Sequence, residues 1–232
     1  MNRNFSNIST VLFDLDDTLL NTKDAQYNAI CYFKSLYDSF NNVENDSFSK
    51  IWHQITEKCY DRYLSGELTF EEMRIDRMKK LFSNYGNEIS DDEAHKRFDL
   101  YVKIYEQSWI LFDDTLDILN YLKSKYKLAI ITNGDSEQQR AKIKKTGLYY
   151  FFDDILISSE VGCSKPDKKI YEIVCDHFNV APNECVMIGD RYEVDIKGAI
   201  NAEMHTIWIN RRKSNIDFKY QISELTELKN FL

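Results

Sequence analysis

Five short apolar runs, at residues 9–15, 128–132, 155–158, 185–189 and 206–209, constrain the fold of this chain more than any other feature. Most are nearly continuous rather than alternating, as expected for strands covered on both faces. From residue 128 onward, each run is followed by a helical pattern: 136–145, then 167–178, then 194–201, and finally 224–231. Such alternation predicts an α/β fold, a Rossmann-like parallel sheet with right-handed crossovers. Pro166 falls where the helix after the third run should begin, a place suited to its fixed φ and missing N–H.

The interval between the first two runs reads differently. It holds no convincing strand, only amphipathic stretches at 25–40, 48–64, 70–82 and 92–109, broken at Asn41-Asn42, Ser65-Gly66 and residues 84–87. A helical block lodged after the first strand of a sheet predicts an inserted second domain. The helix expected at 113–125 leads back to the sheet. The boundaries that follow are an α/β core at 1–20 and 110–232, with an all-helical insert at 21–109.

Charge narrows the function. The net charge of -8 over 232 residues opposes binding to a nucleic-acid polymer, which needs lysine and arginine to displace counterions. A small anionic substrate remains compatible, because one cation and one lysine can reverse the local field. The opening MNRNFSNIST has no apolar core, so no signal peptide is expected there. No apolar run approaches the ~20 residues that cross a bilayer. Five scattered cysteines without a CxxC suggest reduced thiols and a cytoplasmic protein. Cys163, two residues before Lys165, is expected to be a passive thiol. Four histidines without HxH or HExxH spacing argue against a zinc site.

Four clusters carry chemistry, each at the carboxyl end of an expected strand, the edge where open α/β sheets bind ligands. In FDLDDTLL, Asp14 and Asp16 sit at i and i+2 beyond the first strand. Two carboxylates so placed repel one another unless a proton or a divalent cation intervenes. Their functional reading is Asp14 as nucleophile and Asp16 as general acid and base. Their plain reading is a polar turn capping a helix. Thr132-Asn133-Gly134, after LAIIT, offers a hydroxyl and free N–H groups for a phosphate, or else an ordinary turn. Lys165, in Ser164-Lys165-Pro166-Asp167, can bring an ammonium over a phosphate. In GDRYEVD, Gly189 permits close backbone approach and Asp190 is placed for a metal. Asp195 either orients Lys165 or the metal's water shell, or simply favours the first turn of a helix. Together they supply a nucleophile, an acid–base group, a metal seat and a phosphate counter-charge, which phosphoryl transfer requires.

These residues resemble the haloacid dehalogenase (HAD) superfamily, through Asp14-Leu15-Asp16-Asp17-Thr18, Thr132, Lys165 and the stretch from Gly189 to Asp195. The resemblance spans the chain, with the helical insert similar to a C1-type cap. It implies Asp14 as nucleophile and Asp16 as acid and base, with Thr132 and Lys165 contacting phosphate. It also implies Mg2+ held by Asp14, the Asp16 carbonyl and Asp190. The dehalogenases of the family lack a carboxylate matching Asp16, so its presence favours phosphate esters. Two positions depart from the pattern, Asp17 and Glu203, where glycine is usual; Glu203 is expected to strain its turn.

A cap of this kind closes over the crevice and supplies specificity contacts. Arg74 and Arg77 are candidates for meeting a further polar or anionic group of the substrate, against the plainer reading that they pair with Glu71, Glu72 and Asp76 on a solvated face. The expected partner is a small phosphorylated metabolite, a 5'-nucleotide or a sugar phosphate, bound by a monomer or a homodimer that engages neither membrane nor nucleic acid. The alternatives are a phosphoglucomutase-type transfer and a non-catalytic binding protein on the same fold.

Overall fold

A computed structural model describes residues 5–232; the first four residues of the amino-terminal stretch considered above lie outside the described residues. Six parallel strands form one sheet in the order β3-β2-β1-β4-β5-β6. They are β1 (Thr10–Phe13), β2 (Lys127–Thr132), β3 (Asp154–Ile157), β4 (Cys185–Gly189), β5 (His205–Ile209) and β6 (Gln221–Ile222). Five match the apolar runs to within two residues at either end. The sixth, only two residues long, shows no apolar run of its own. The central strands β1 and β4 are buried at every position, which is why their sequences do not alternate.

The chain divides into two compact units, residues 1–21 with 110–232, and residues 22–109. The second contains α1 (Thr22–Ser35), α2 (Asn45–Leu64), α3 (Phe70–Ser83) and α4 (Asp91–Gln107). Two of these helices start at reciprocal caps. Thr69 accepts from the Glu72 N–H while Glu72 reaches back to the Thr69 N–H, and Ser90 with Glu93 does the same for α4. Inside this unit Phe33, Phe40, Phe48, Met78, Leu81 and Phe82 are buried, and the Trp52 indole N–H donates to the Tyr101 hydroxyl at 3.2 Å.

The sheet unit adds α5 (Thr115–Lys123), α6 (Ser136–Lys145), the single turn α7 (Ser158–Val161), α8 (Lys168–Phe178) and α9 (Lys197–Asn201). Three expectations need correction. Pro166 does not open α8; the Lys165–Pro166 bond is cis, and Asp167 caps the helix by accepting from the Lys169 N–H. The helix expected at 194–201 begins earlier, as a π-helical turn at Tyr192–Ile196 that passes into α9. The expected last helix is a 3-10 segment, Leu225–Asn230. All five cysteines are free thiols. Among the described residues no helix is long and apolar enough to cross a membrane.

Asp17 and Glu203 both stand in the left-handed region, at φ 60° and 62°. That conformation costs a residue with a Cβ about 1–2 kcal/mol, and glycine returns roughly 0.5–1 kcal/mol of it as chain entropy. Glu203 is exposed, and its strain is not offset by burial. Glu203→Gly is therefore expected to leave stability unchanged or raise it by up to about 1 kcal/mol, a gain of roughly 2–4 °C in melting midpoint. A clear fall in the midpoint would contradict this account of the turn.

Candidate active site

The sheet order places the site. The chain runs from β1 outward to β2 and β3, then returns to the other side of β1 as β4, so the segments leaving β1 and β4 diverge at the carboxyl edge. Asp14 is the first residue beyond β1, and its N–H still donates to the Ile188 carbonyl of β4 at 2.9 Å. A tight reversal follows, in which the Leu19 and Leu20 N–H groups both donate to the Leu15 carbonyl at 3.0 Å and Asp17 donates to Leu20 at 2.7 Å. This turn fixes Asp14 and Asp16, two residues apart, on one loop.

Lys165 reaches Asp14 from the segment after β3. Its Nζ lies 2.6 Å from Asp14 Oδ1 and 2.7 Å from Asp195 Oδ1, and both the lysine and Asp195 side chains are about 1 % exposed. Burial alone would lower the Lys165 pKa, but the carboxylates of Asp14 and Asp195 outweigh it and hold the ammonium charged. The Asp14 pKa is raised as well, which for a carboxyl group disfavours the charged form. Burial raises its pKa, and although Lys165 opposes the shift, Asp195 and Asp190 add to it.

Asp195 owes its position to the π-helical turn. The Arg191 N–H donates to Asp195 Oδ2 at 2.9 Å, which turns the carboxylate back towards the end of β4. There it presses on Gly189: a Cβ at that residue would lie 2.5 Å from Asp195 Cβ, Cγ and Oδ2. One carboxylate oxygen from each of Asp14, Asp190 and Asp195 lies within 4.8 Å of the others. A cluster made only of oxygen donors suits a hard divalent cation such as Mg2+ or Ca2+, and a cation there would offset the repulsion that raises Asp14. The residues present fit that group.

The remaining candidates divide. Thr132, at the end of β2, is buried, and its Oγ1 accepts from Gln139 Nε2 at 2.6 Å. The Asn133 side chain is not turned to an anion: its Nδ2 donates to the Lys165 carbonyl at 2.8 Å and its Oδ1 accepts from the Lys165 N–H at 2.9 Å. It clamps the lysine's backbone, leaving only its main chain for a phosphate. Arg74 and Arg77 belong to the helical unit. There the Arg74 guanidinium lies 4.5 Å from the Phe70 ring centre, and Arg77 lies 4.7 Å from that of Trp52 and donates to Thr56 Oγ1 at 2.9 Å. The acids near them have other partners, Asp76 with Arg62 and Lys80, and Glu72 with Thr69.

Two residues of α6 were not anticipated. Lys142 and Gln139 are almost fully buried, and both contact Asp16. The run SEQQRAKIKK reads as a solvated surface. The available signal is spacing: Gln139, Lys142 and Ile143 share the inward face of a helix that carries little else to bury there.

Residues 8–203 match the family described as haloacid dehalogenase-like hydrolase. The chain belongs to that family. Among its relatives, the N-acylneuraminate-9-phosphatase of Mus musculus is 29 % identical over 211 residues, covering 89 % of this chain and 84 % of that protein. The pyrimidine 5'-nucleotidase YjjG of Escherichia coli is 25 % identical over 227 residues, covering 96 % of each. The HAD-hydrolase YfnB of Bacillus subtilis has a solved structure bound to magnesium that matches with a TM-score of 0.79 and 28 % identity, over 98 % of this chain and 99 % of that one. This chain is a hydrolase of that family, with a parallel sheet and a helical segment after its first strand.

Gly189→Ala tests the close approach to Asp195. The added methyl has no space unless Asp195 moves away from Lys165, so a loss of about 1–3 kcal/mol is expected on chemical denaturation. An unchanged unfolding midpoint would show that the contact is not a real constraint.

Proposed function

We propose that this HAD hydrolase is a magnesium-dependent phosphatase acting on a small phosphomonoester, a 5'-nucleotide or a sugar phosphate, through an aspartyl-phosphate on Asp14. The observation that carries the reading is the pairing of Lys165 with Asp14 at 2.6 Å beside the acidic cluster of Asp14, Asp190 and Asp195. In the first half-reaction an Asp14 carboxylate oxygen attacks phosphorus in line, the ester P–O bond breaks, and Asp16 gives its proton to the leaving oxygen. In the second, water attacks the same phosphorus, the bond to Asp14 breaks, and Asp16 takes up the water's proton. Lys165 and the Thr132 hydroxyl meet the charge on the phosphoryl oxygens. Asp14, the Asp16 carbonyl and Asp190 are the residues that would hold Mg2+, with Asp195 acting through Lys165. When bound, the ion supplies the positive charge that lets a phosphate dianion approach three carboxylates.

A leaving alkoxide needs a proton and a departing halide does not, so Asp16 favours phosphate esters over haloacids. The nucleotide and sugar-phosphate classes are suggested by the phosphatase and nucleotidase relatives. We read residues 21–109 as the cap that supplies substrate contacts, with Arg74 and Arg77 stacking on its aromatic core. A panel of nucleotides and sugar phosphates tests the whole reading. Phosphate release is expected with Mg2+, lost on chelation and restored by added Mg2+. Asp14→Asn should lower turnover by about 10³-fold or more, and Asp16→Asn by about 10²–10⁴-fold. No Mg2+-dependent phosphate release from any ester would sink the proposal.

A further inference from the structure

Helix α6 sends two polar side chains into the carboxyl edge that the scheme above leaves without a task. The Lys142 ammonium lies 2.7 Å from Asp16 Oδ1 and 2.9 Å from Asp16 Oδ2, with its side chain only 4 % exposed. Gln139 is 1 % exposed, and its Nε2 donates to Asp16 Oδ2 at 2.9 Å and to Thr132 Oγ1 at 2.6 Å. A primary amide has two N–H donors, and here one serves the carboxylate and the other the hydroxyl. Gly134, at φ 142°, leaves the room this requires: a Cβ there would sit 3.3 Å from Gln139 Cγ and Cδ. Asp135 caps α6 by accepting from the Gln138 N–H, which sets the helix start and so the register that turns 139 and 142 inward.

A buried lysine and a buried glutamine are both expensive to desolvate, and each is compensated here by the same carboxylate. The chain has placed them where Asp16 would otherwise be free to change rotamer, since its own side chain is one-third exposed. We propose that Lys142 and Gln139 are positioning residues that hold the Asp16 carboxyl in register with the Thr132 hydroxyl, so that proton transfer and phosphoryl contact act on one substrate geometry. The proposal rests on the reading of Asp16 as general acid and base. It concerns orientation, because a group that moves a proton must stay within hydrogen-bond reach of the reacting oxygen.

The test uses the dependence of rate on leaving group. General-acid help matters for an alkyl phosphate, whose alkoxide is a poor leaving group, and little for 4-nitrophenyl phosphate. The quantity read is kcat/KM, which covers the steps up to leaving-group departure. Lys142→Met and Gln139→Leu are compared with Lys142→Arg and Asp16→Asn, each first checked for folding by circular dichroism. The loss in Lys142→Met is expected to be about tenfold or more greater on the alkyl ester than on 4-nitrophenyl phosphate. Lys142→Arg should recover most of it, and the double variant Asp16→Asn/Lys142→Met should be no slower than Asp16→Asn alone. Gln139→Leu should show the same selectivity, and it carries the test should Lys142→Met fail to fold. Equal losses on both esters, no loss, or losses that multiply in the double variant would overturn the proposal and leave a structural ion pair. If Asp16→Asn itself shows no leaving-group selectivity, the acid–base reading of Asp16 fails and the clamp falls with it. That outcome is distinct from a selective Asp16→Asn beside an unselective Lys142→Met, which sinks the clamp alone.

Discussion

The Lys165 ammonium lies within 2.7 Å of two carboxylates brought to it by different strands, Asp14 after β1 and Asp195 after β4. In a buried setting an ion without a partner costs several kcal/mol, so loss of the lysine would strand both carboxylates. The triad thereby ties the segments after β1, β3 and β4 at the edge where the sheet order reverses. Asn133 adds the end of β2, because its amide holds the backbone of Lys165 from both sides. Four strand ends are fixed to one another through one lysine, and the geometry of the candidate site follows from that fixation.

The same constraint explains two local irregularities. A regular first turn after β4 is replaced by the wider one at Tyr192–Ile196, and Asp195 lies against the only residue type that leaves it room, Gly189. Local departures from regular helix geometry commonly mark functional positions. Here the departure has a specific consequence, a carboxylate that faces back into the edge and accepts from the Arg191 N–H. The reversal after β1 uses a second departure, Asp17 at positive φ, to bring Asp14 and Asp16 onto one short loop.

Strands covered on both faces leave an unbroken apolar signature, so β1 to β5 and the helical interval were legible in the sequence. Asp14, Thr132 and Asp190 were legible as candidates because each falls at or directly beyond the end of such a run, whereas Lys165 lies beyond α7 and was singled out by its local motif. What was not legible depends on side-chain direction after packing. Arg74 and Arg77 lie among acids in sequence, yet their guanidiniums settle on aromatic rings that come from other turns and helices. Asn133 stands next to Thr132 in the chain, but its amide faces a backbone 32 residues further on. Lys142 sits in a run of lysines where only three-dimensional register separates the inward one from its neighbours. The two-residue β6 carries too few side chains to show a pattern at all.

Charge balance at the edge links these parts. Of the site's paired and clustered groups, Asp14, Asp16, Asp190 and Asp195 carry four formal negative charges, and Lys142 and Lys165 carry two positive ones. The surplus of two negative charges disfavours an approaching phosphate dianion, and the chain's overall charge of -8 adds no attraction. One divalent cation in the oxygen cluster cancels the surplus. On the proposed reading, the arrangement favours anion binding after the cation, because each lysine is already paired with a carboxylate and the ion would add to the attraction that Lys165 offers a phosphate.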